Sequence, residues 1–139
     1  LRIESRSVNE AFARAAVAAF VSQLDPTLEE ISDIKTAVSE AVTNCIVHAY
    51  ADSVGQIYIW AGLYEDGGVR IKIRDTGCGI EDVKKAMEPL YTTLGEERAG
   101  LGFAVMESFC DRLGVRSAPG KGTTVTLTKY IKGRNGGDD

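Results

Sequence analysis

Apolar residues recur along this chain in two rhythms, and the switches between them mark its elements. Residues 1–5 alternate apolar and polar and predict a short edge strand. Ser7-Val8-Asn9-Glu10 then has the form of a capping box opening a helix to about residue 24. On that helix Phe12, Ala13, Ala16, Val17, Phe20, Val21 and Leu24 share the expected core face, while Ala11, Ala15, Ala18 and Ser22 make an opposite, nearly flat face beside Arg14. Alanine is the best helix former, which accounts for such a face without further purpose. A flat face of small residues also suits close approach of a partner, and Arg14 is the candidate partner contact on it. Asp25-Pro26 predicts an N-cap and first-turn proline for a second helix to about residue 50, with an apolar stripe of Ile31, Ile34, Val38, Val42, Cys45 and Ala49. Glu40 and Asn44 fall nearly opposite that stripe and one turn apart, so they point together.

The rhythm then changes to period two. Residues 56–64 and 69–74 alternate around Glu65-Asp66-Gly67-Gly68, a hairpin signature, and the second strand runs directly into Asp75. A short helix is expected near residues 81–87. Residues 88–99 carry Pro89, Gly95 and several charges without useful periodicity and predict a mobile loop. A helix over about 100–113, a strand near 115–117, a turn at Pro119-Gly120-Lys121-Gly122 and a strand over 123–131 complete the pattern. The Gly/Asp-rich stretch 133–139 is expected to be disordered. There is no internal repeat and no linker, so residues 1–139 form one domain.

Composition narrows the class. With 44% hydrophobic and 26% charged residues, a chain of 139 residues buries a core without disulfides or metals. The net charge of -4 argues against binding nucleic acid directly or a membrane surface, both of which need a basic field. Cys45, Cys78 and Cys110 are odd in number and widely spaced, which fits reduced thiols better than a disulfide frame. No apolar run approaches the ~20 residues of a membrane span, and Leu1 opens no basic-then-apolar leader. A cytoplasmic location is expected.

Four patches carry the candidate chemistry. In Glu40-Ala-Val-Thr-Asn44 the amide suits a Mg²⁺ ion, which takes oxygen ligands and needs few from the protein, and the carboxylate suits proton acceptance from an attacking hydroxyl. The same spacing is common on exposed helix faces. Asp75-Thr-Gly77-Cys-Gly79-Ile80 puts an acceptor at a strand end where glycines admit a ligand. An ionised Asp there accepts from an adenine amino group and repels a guanine carbonyl, favouring ATP over GTP; alternatively it closes an Asx-type turn. Gly100-Leu-Gly102 ahead of an apolar helix offers unhindered N–H groups to a phosphate, or simply a flexed loop junction. Thr123 and Thr124 follow the Gly120/Gly122 turn and offer hydroxyls near a base. No GK[ST] tripeptide and no dinucleotide fingerprint occur, which disfavours ordinary kinase and Rossmann architectures.

Read together, these patches resemble the N, G1, G2 and G3 boxes of the GHKL ATPase superfamily, which includes DNA gyrase B, heat-shock 90 chaperones, histidine kinases and MutL proteins. The resemblance covers nearly the whole chain. It implies an α+β, two-layer α/β sandwich known as the Bergerat fold: a mixed, mostly antiparallel sheet with helices on one face and a flexible ATP lid over about 88–99. It also implies ATP or ADP with Mg²⁺ as cofactors. Glu40 is then the general base, Asn44 the Mg²⁺ ligand and Asp75 the adenine acceptor. His48, Gly77, Gly79, Ile80, Thr92, Thr93, Gly100, Leu101, Gly102, Thr123 and Thr124 line the nucleotide by the same resemblance. Arg98 stands where a lid cation neutralises transferred charge.

His48, the single histidine, lies within the Glu40 helix, so a histidine kinase's separate phosphoacceptor helix is absent. Ser39-Glu-Ala-Val-Thr-Asn44, Leu24-Asp-Pro26 and Pro89-Leu-Tyr-Thr-Thr93 are similar to the anti-sigma serine kinases of spore-forming bacteria. That branch implies a homodimer that holds a sporulation sigma factor and phosphorylates a serine of an anti-anti-sigma protein. Its members commonly read Thr-Thr-Lys in the lid where this chain has Thr92-Thr93-Leu94. Three other readings remain open: a general-stress anti-sigma kinase, a nucleotide-gated binding module without catalysis, and an excised histidine-kinase catalytic domain.

Overall fold

The computed structural model describes the backbone of residues 1–80 and 94–133, and side chains over the same residues except 94–101. Its elements in chain order are β1 (Arg2–Glu4), α1 (Val8–Val21), α2 (Leu28–Asn44), β2 (Gln56–Leu63), β3 (Gly68–Asp75), α3 (Leu94–Phe109), β4 (Arg112–Ala118) and β5 (Gly122–Tyr130). The strands form one sheet in the order β1-β2-β3-β5-β4, with β1 and β4 at its edges. Every pairing among the described residues is antiparallel, so the expected α+β sandwich stands with no parallel member seen.

Strand alternation sorts the two faces. Ile57 and Ile59, Val69, Ile71 and Ile73, and Val125 and Leu127 point inward and are buried, while Tyr58, Trp60, Arg70, Lys72 and Arg74 point outward and are exposed. The three helices cover the inward face, with α2 between α1 and α3. Ala37 and Ala41 of α2 are fully buried beside Ile34, Val38 and Val42, and these small side chains let the central helix pack closely. Phe103 and Met106 of α3 close the core on the other side.

Several boundaries differ from the sequence expectation. Asp25 is not the N-cap of α2: it sits in the left-handed region at φ 49°, after a 3-10 turn over Ser22–Leu24. The cap is Thr27, whose hydroxyl accepts from Glu30 N while the Glu30 carboxylate accepts from Thr27 N, a reciprocal box. The Glu30 carboxylate accepts further bonds from the N–H groups of Lys132 and Gly133, tying the C-terminal segment to this helix start. Burial raises its pKa, but these donors together outweigh that and hold it below the ordinary value.

On α1 the buried residues are Ala13, Val17, Ala18 and Val21, while Phe12 and Phe20 are exposed. Ala18, expected on the flat outer face, is therefore core. Finally, α3 begins at Leu94 rather than near Gly100, so residues 94–99 of the expected lid are helical. The helix expected near 81–87, the rest of that lid and residues 134–139 lie outside the described residues.

Candidate functional site

The floor of the site is made where the end of α2 meets the end of β3. After Asn44 the helix widens into a π-type turn over Cys45–Ala49, which redirects the chain and frees its last carbonyls. The Ala49 carbonyl accepts from Cys78 N at 3.2 Å, and the His48 carbonyl from the Cys78 thiol at 3.4 Å. A side chain at Gly77 would collide with the Ala49 carbonyl, so the turn after Asp75 rests on the helix end only because glycine stands there. Gly79, at φ 76°, makes the same kind of approach to the Ala118 carbonyl.

Tyr50 ties these parts together. Its hydroxyl accepts from Thr76 N at 2.7 Å and donates to the Gln56 carbonyl at 2.7 Å, bracing the Asp75 turn against the start of β2.

Asp75 is 4% exposed and faces inward at the end of β3. Its Oδ1 accepts from Gly77 N at 3.0 Å and Thr123 N at 3.2 Å, and the Cys45 thiol donates to Oδ2 at 3.5 Å. Burial pushes the carboxyl above its usual range, an effect those three donors only partly offset. Burial and the neighbouring carboxylate likewise raise the Cys45 thiol well above its usual value. Asp75 makes the Asx-type bond to Gly77 through Oδ1 and also lines a cavity, so the two sequence readings of it do not exclude one another. A cavity of about 50 Å³ opens here, lined by Asn44, Cys45, His48, Asp75, Gly79, Ile80, Phe103 and Thr123 among others. Complete small-molecule sites measure several hundred Å³, so this cavity is the floor of a site rather than its whole envelope.

Asn44 stands at the wall of this floor, with Glu40 one helical turn before it. Both side chains press on Gly102 of α3: a Cβ there would lie 3.0 Å from Asn44 Oδ1 and 3.4 Å from Glu40 Oε2. The Asn44 amide nitrogen is buried and finds no hydrogen-bond partner among the described residues. Leaving such a donor unmade costs about 1–3 kcal/mol, which a ligand offering acceptors would remove. An amide can ligate a hard cation through oxygen and donate to a phosphate through nitrogen, so the donor set fits a metal-bound nucleotide. Glu40 faces another space. With Arg14, Ala11, Ala15 and Ser39 it lines an open groove of about 570 Å³ between α1 and α2. Arg14 is held there by Glu10 at 3.6 Å.

Of the sequence candidates, Asn44, His48, Asp75, Gly79, Ile80 and Thr123 line the floor, Gly77 supports it, and Gly102 is where α3 meets Asn44 and Glu40. Thr124 does not belong: strand alternation turns it to the opposite face, beside Tyr58 and Arg74. Gly100, Leu101 and Gly102 lie inside α3 rather than ahead of it, so the open N–H groups of this helix end belong to its first turn near Leu94. Thr92 and Thr93 lie outside the described residues, as do the side chains of Arg98 and Leu101. Three contributors were not foreseen: Cys45 on Asp75, Tyr50 under the turn, and Ser117. The Ser117 hydroxyl accepts from Ile80 N at 2.7 Å and donates to the Gly122 carbonyl at 3.0 Å. Only Tyr50 left a trace in the sequence, as a lone aromatic where the helix stops.

Among known proteins, residues 3–129 match the model of the histidine kinase-like ATPase domain family. The chain is 62% identical to an anti-sigma F factor of Caldanaerobacter subterraneus subsp. tengcongensis, over 97% of this chain and 94% of that one. It is 54% identical to the anti-sigma F factor of Pasteuria penetrans, over 95% and 89%. Among solved structures, the RsbU and RsbW domains of a Mycobacterium tuberculosis protein superpose with a TM-score of 0.68 at 26% identity, covering 94% of this chain and 32% of that one. The histidine kinase domain of an Erythrobacter litoralis blue-light activated kinase shares the fold, with a TM-score of 0.59 at 20% identity over 88% and 61%.

Proposed function

The chain belongs to the histidine kinase-like ATPase domain family, in company with proteins named anti-sigma F factor, and from that premise we propose that it is an ATP-dependent anti-sigma serine kinase. It binds and inhibits a sporulation sigma factor and phosphorylates a serine of an anti-anti-sigma protein, working as a homodimer in the cytoplasm. Among the described residues no helix is long and apolar enough to cross a membrane.

One observation carries the kinase reading. The side chains of Asn44 and Glu40, one turn apart, meet at Gly102 yet serve separate spaces, Asn44 the floor with Asp75 and Glu40 the groove with Arg14. Nucleotide and protein substrate thereby reach one helix turn from two sides. Mg²⁺·ATP, when bound, supplies the transferable phosphoryl group. The Asp75 carboxylate, whose Oδ1 is held by Gly77 and Thr123, would accept from the adenine amino group. Asn44 would hold the metal through its oxygen, and by the family resemblance Arg98 would neutralise charge on the phosphates. Glu40 takes the proton of a serine hydroxyl entered along the groove.

The test is transfer of label from γ-labelled ATP to a candidate anti-anti-sigma protein, followed by identification of the labelled amino acid. Acid-stable phosphoserine supports the proposal. Acid-labile phosphohistidine on a partner would favour the histidine-kinase reading, and no transfer despite nucleotide and sigma-factor binding would leave a binding module.

A further inference from the structure

The outward face of the sheet, opposite the helices and the Asp75 floor, inverts the charge of the molecule. Asp and Glu outnumber Lys and Arg by 20 to 16 over the chain. On this face, however, six cations stand in register. Arg2, Tyr58, Arg74, Thr124 and Arg116 form one row across all five strands, and Gly62, Arg70, Thr128 and Arg112 form another. Lys72 lies between these rows, opposite Trp60 and Thr126. Among the described residues the one carboxylate at an outward strand position is Glu4, which is already paired with Arg6 at 2.8 Å.

The cations of β3 are also organised. Arg70 stacks over Tyr64 at 5.3 Å from the ring centroid, Lys72 over Trp60 at 5.4 Å and Arg74 over Tyr58 at 5.8 Å. Gly62 makes room for the Trp60 ring to lie across the sheet, since a Cβ there would fall 2.7 Å from it. Stacking limits the rotamers of three long side chains and leaves their N–H groups free to donate, which lowers the ordering cost of binding a carboxylate. A groove of about 410 Å³ runs along this face between Arg2, Tyr58, Trp60, Lys72, Arg74 and Thr124.

We propose that this face docks an extended, acidic segment of a partner protein. Arg70, Lys72 and Arg74 occupy alternate positions of one strand, a repeat of about 6.6 Å that an extended chain with acids at every second residue matches. A second copy of this chain would bring the same six cations face to face. Nucleic acid fits less well, because each ring already has a cation over one face and the net charge of -4 repels a long polyanion.

Trp60 is the chain's single tryptophan and sits on this face, so its emission reports binding directly. The probe is a (Glu-Ser)₅ peptide, with (Gln-Ser)₅, a ten-residue oligo-dT and anionic phosphatidylserine vesicles as comparisons, titrated near physiological salt. The proposal predicts a saturable change with (Glu-Ser)₅, at least tenfold tighter than with any comparison. The triple variant Arg70→Gln/Lys72→Gln/Arg74→Gln should weaken it at least tenfold while nucleotide binding and the unfolding midpoint stay near wild type. Should the triple variant misfold, Arg112→Gln/Arg116→Gln at the far edge should still weaken the peptide severalfold. No saturable change at millimolar peptide, equal response to (Gln-Ser)₅, tighter binding of oligo-dT or vesicles, or cation variants that bind normally would each overturn it. Self-association abolished by the triple variant would also overturn it, by assigning the face to a second copy.

Discussion

Replacing Gly102 with alanine tests the contact on which the site depends. A methyl group there would stand 3.0 Å from Asn44 Oδ1, 3.2 Å from Asn44 Nδ2 and 3.4 Å from Glu40 Oε2, so Asn44 must retreat by a few tenths of an ångström while Glu40 meets it at ordinary contact distance. Gly102 lies within α3, where alanine gains about 0.8–1 kcal/mol of helix propensity over glycine. Overpacking costs about 1–3 kcal/mol, so the net effect on stability ranges from about neutral to a loss of ~2 kcal/mol. Function should suffer more than stability. Displacing a metal ligand or its immediate support lowers metal affinity roughly 10–100-fold, and metal-dependent nucleotide affinity should fall by at least ~10-fold. Urea denaturation measures the first quantity, and calorimetric titration of ATP with Mg²⁺ or with a chelator measures the second. A Gly102→Ala protein that gains the full helix-propensity benefit and binds Mg²⁺·ATP like wild type would show that Asn44 and Glu40 do not meet at this position.

Asp75→Asn should separate binding from stability. Losing the charged acceptor should weaken adenine nucleotides by about 1.5–3 kcal/mol, roughly ten- to a hundredfold, and reduce discrimination against GTP, both read by calorimetry. Because the folded protein raises the carboxyl pKa above its ordinary 3.8, the native state holds this proton more tightly than the unfolded chain does. Stability therefore falls as pH rises from about 3.8 through the folded value and stays lower above it, and the Asn variant should lack that component in denaturation curves taken across the range. Arg14→Glu, at the mouth of the α1/α2 groove, should weaken sigma-factor or anti-anti-sigma binding in pull-downs and leave ATP affinity unchanged; intact partner binding would return this surface to ordinary solvated helix.

The strand over residues 68–75 is the most legible part of the sequence, because one face buried on helices and the other in solvent leaves a clear alternation there, while residues 56–63 alternate in burial only over their first half. The phase of α1 was less so. Apart from Asn9, Glu10 and Arg14 every position of that helix is apolar, so sequence periodicity does not decide between Phe12 and Ala18 as the buried residue; packing in the fold does, and it buries Ala18 while leaving Phe12 exposed. Asp25-Pro26 has the composition of a helix start, but the reciprocal bonds of Thr27 and Glu30, which begin two residues later, set the cap of α2. Asn44 and Asp75 could be singled out by residue type and spacing. The thiol of Cys45 on Asp75 and the hydroxyl of Tyr50 beneath Thr76 depend on a π-type turn and on pairs separated by 30 and 26 positions, which no local pattern encodes.

In the proposed kinase one turn of α2 divides nucleotide holding from proton removal, and phosphoryl transfer by Glu40→Gln is the decisive measurement. Gln keeps the size of the side chain beside Gly102 but cannot act as an ionised base. Glu40→Gln should keep near-wild-type Mg²⁺·ATP affinity and intact partner binding, with serine labelling slowed about 10²-fold or more in single-turnover measurements. Asn44→Ala, measured alongside, should instead lose the metal-dependent part of nucleotide affinity. Serine labelling by Glu40→Gln at close to the wild-type rate would contradict base catalysis by this residue and reduce Glu40 to a wall of the groove.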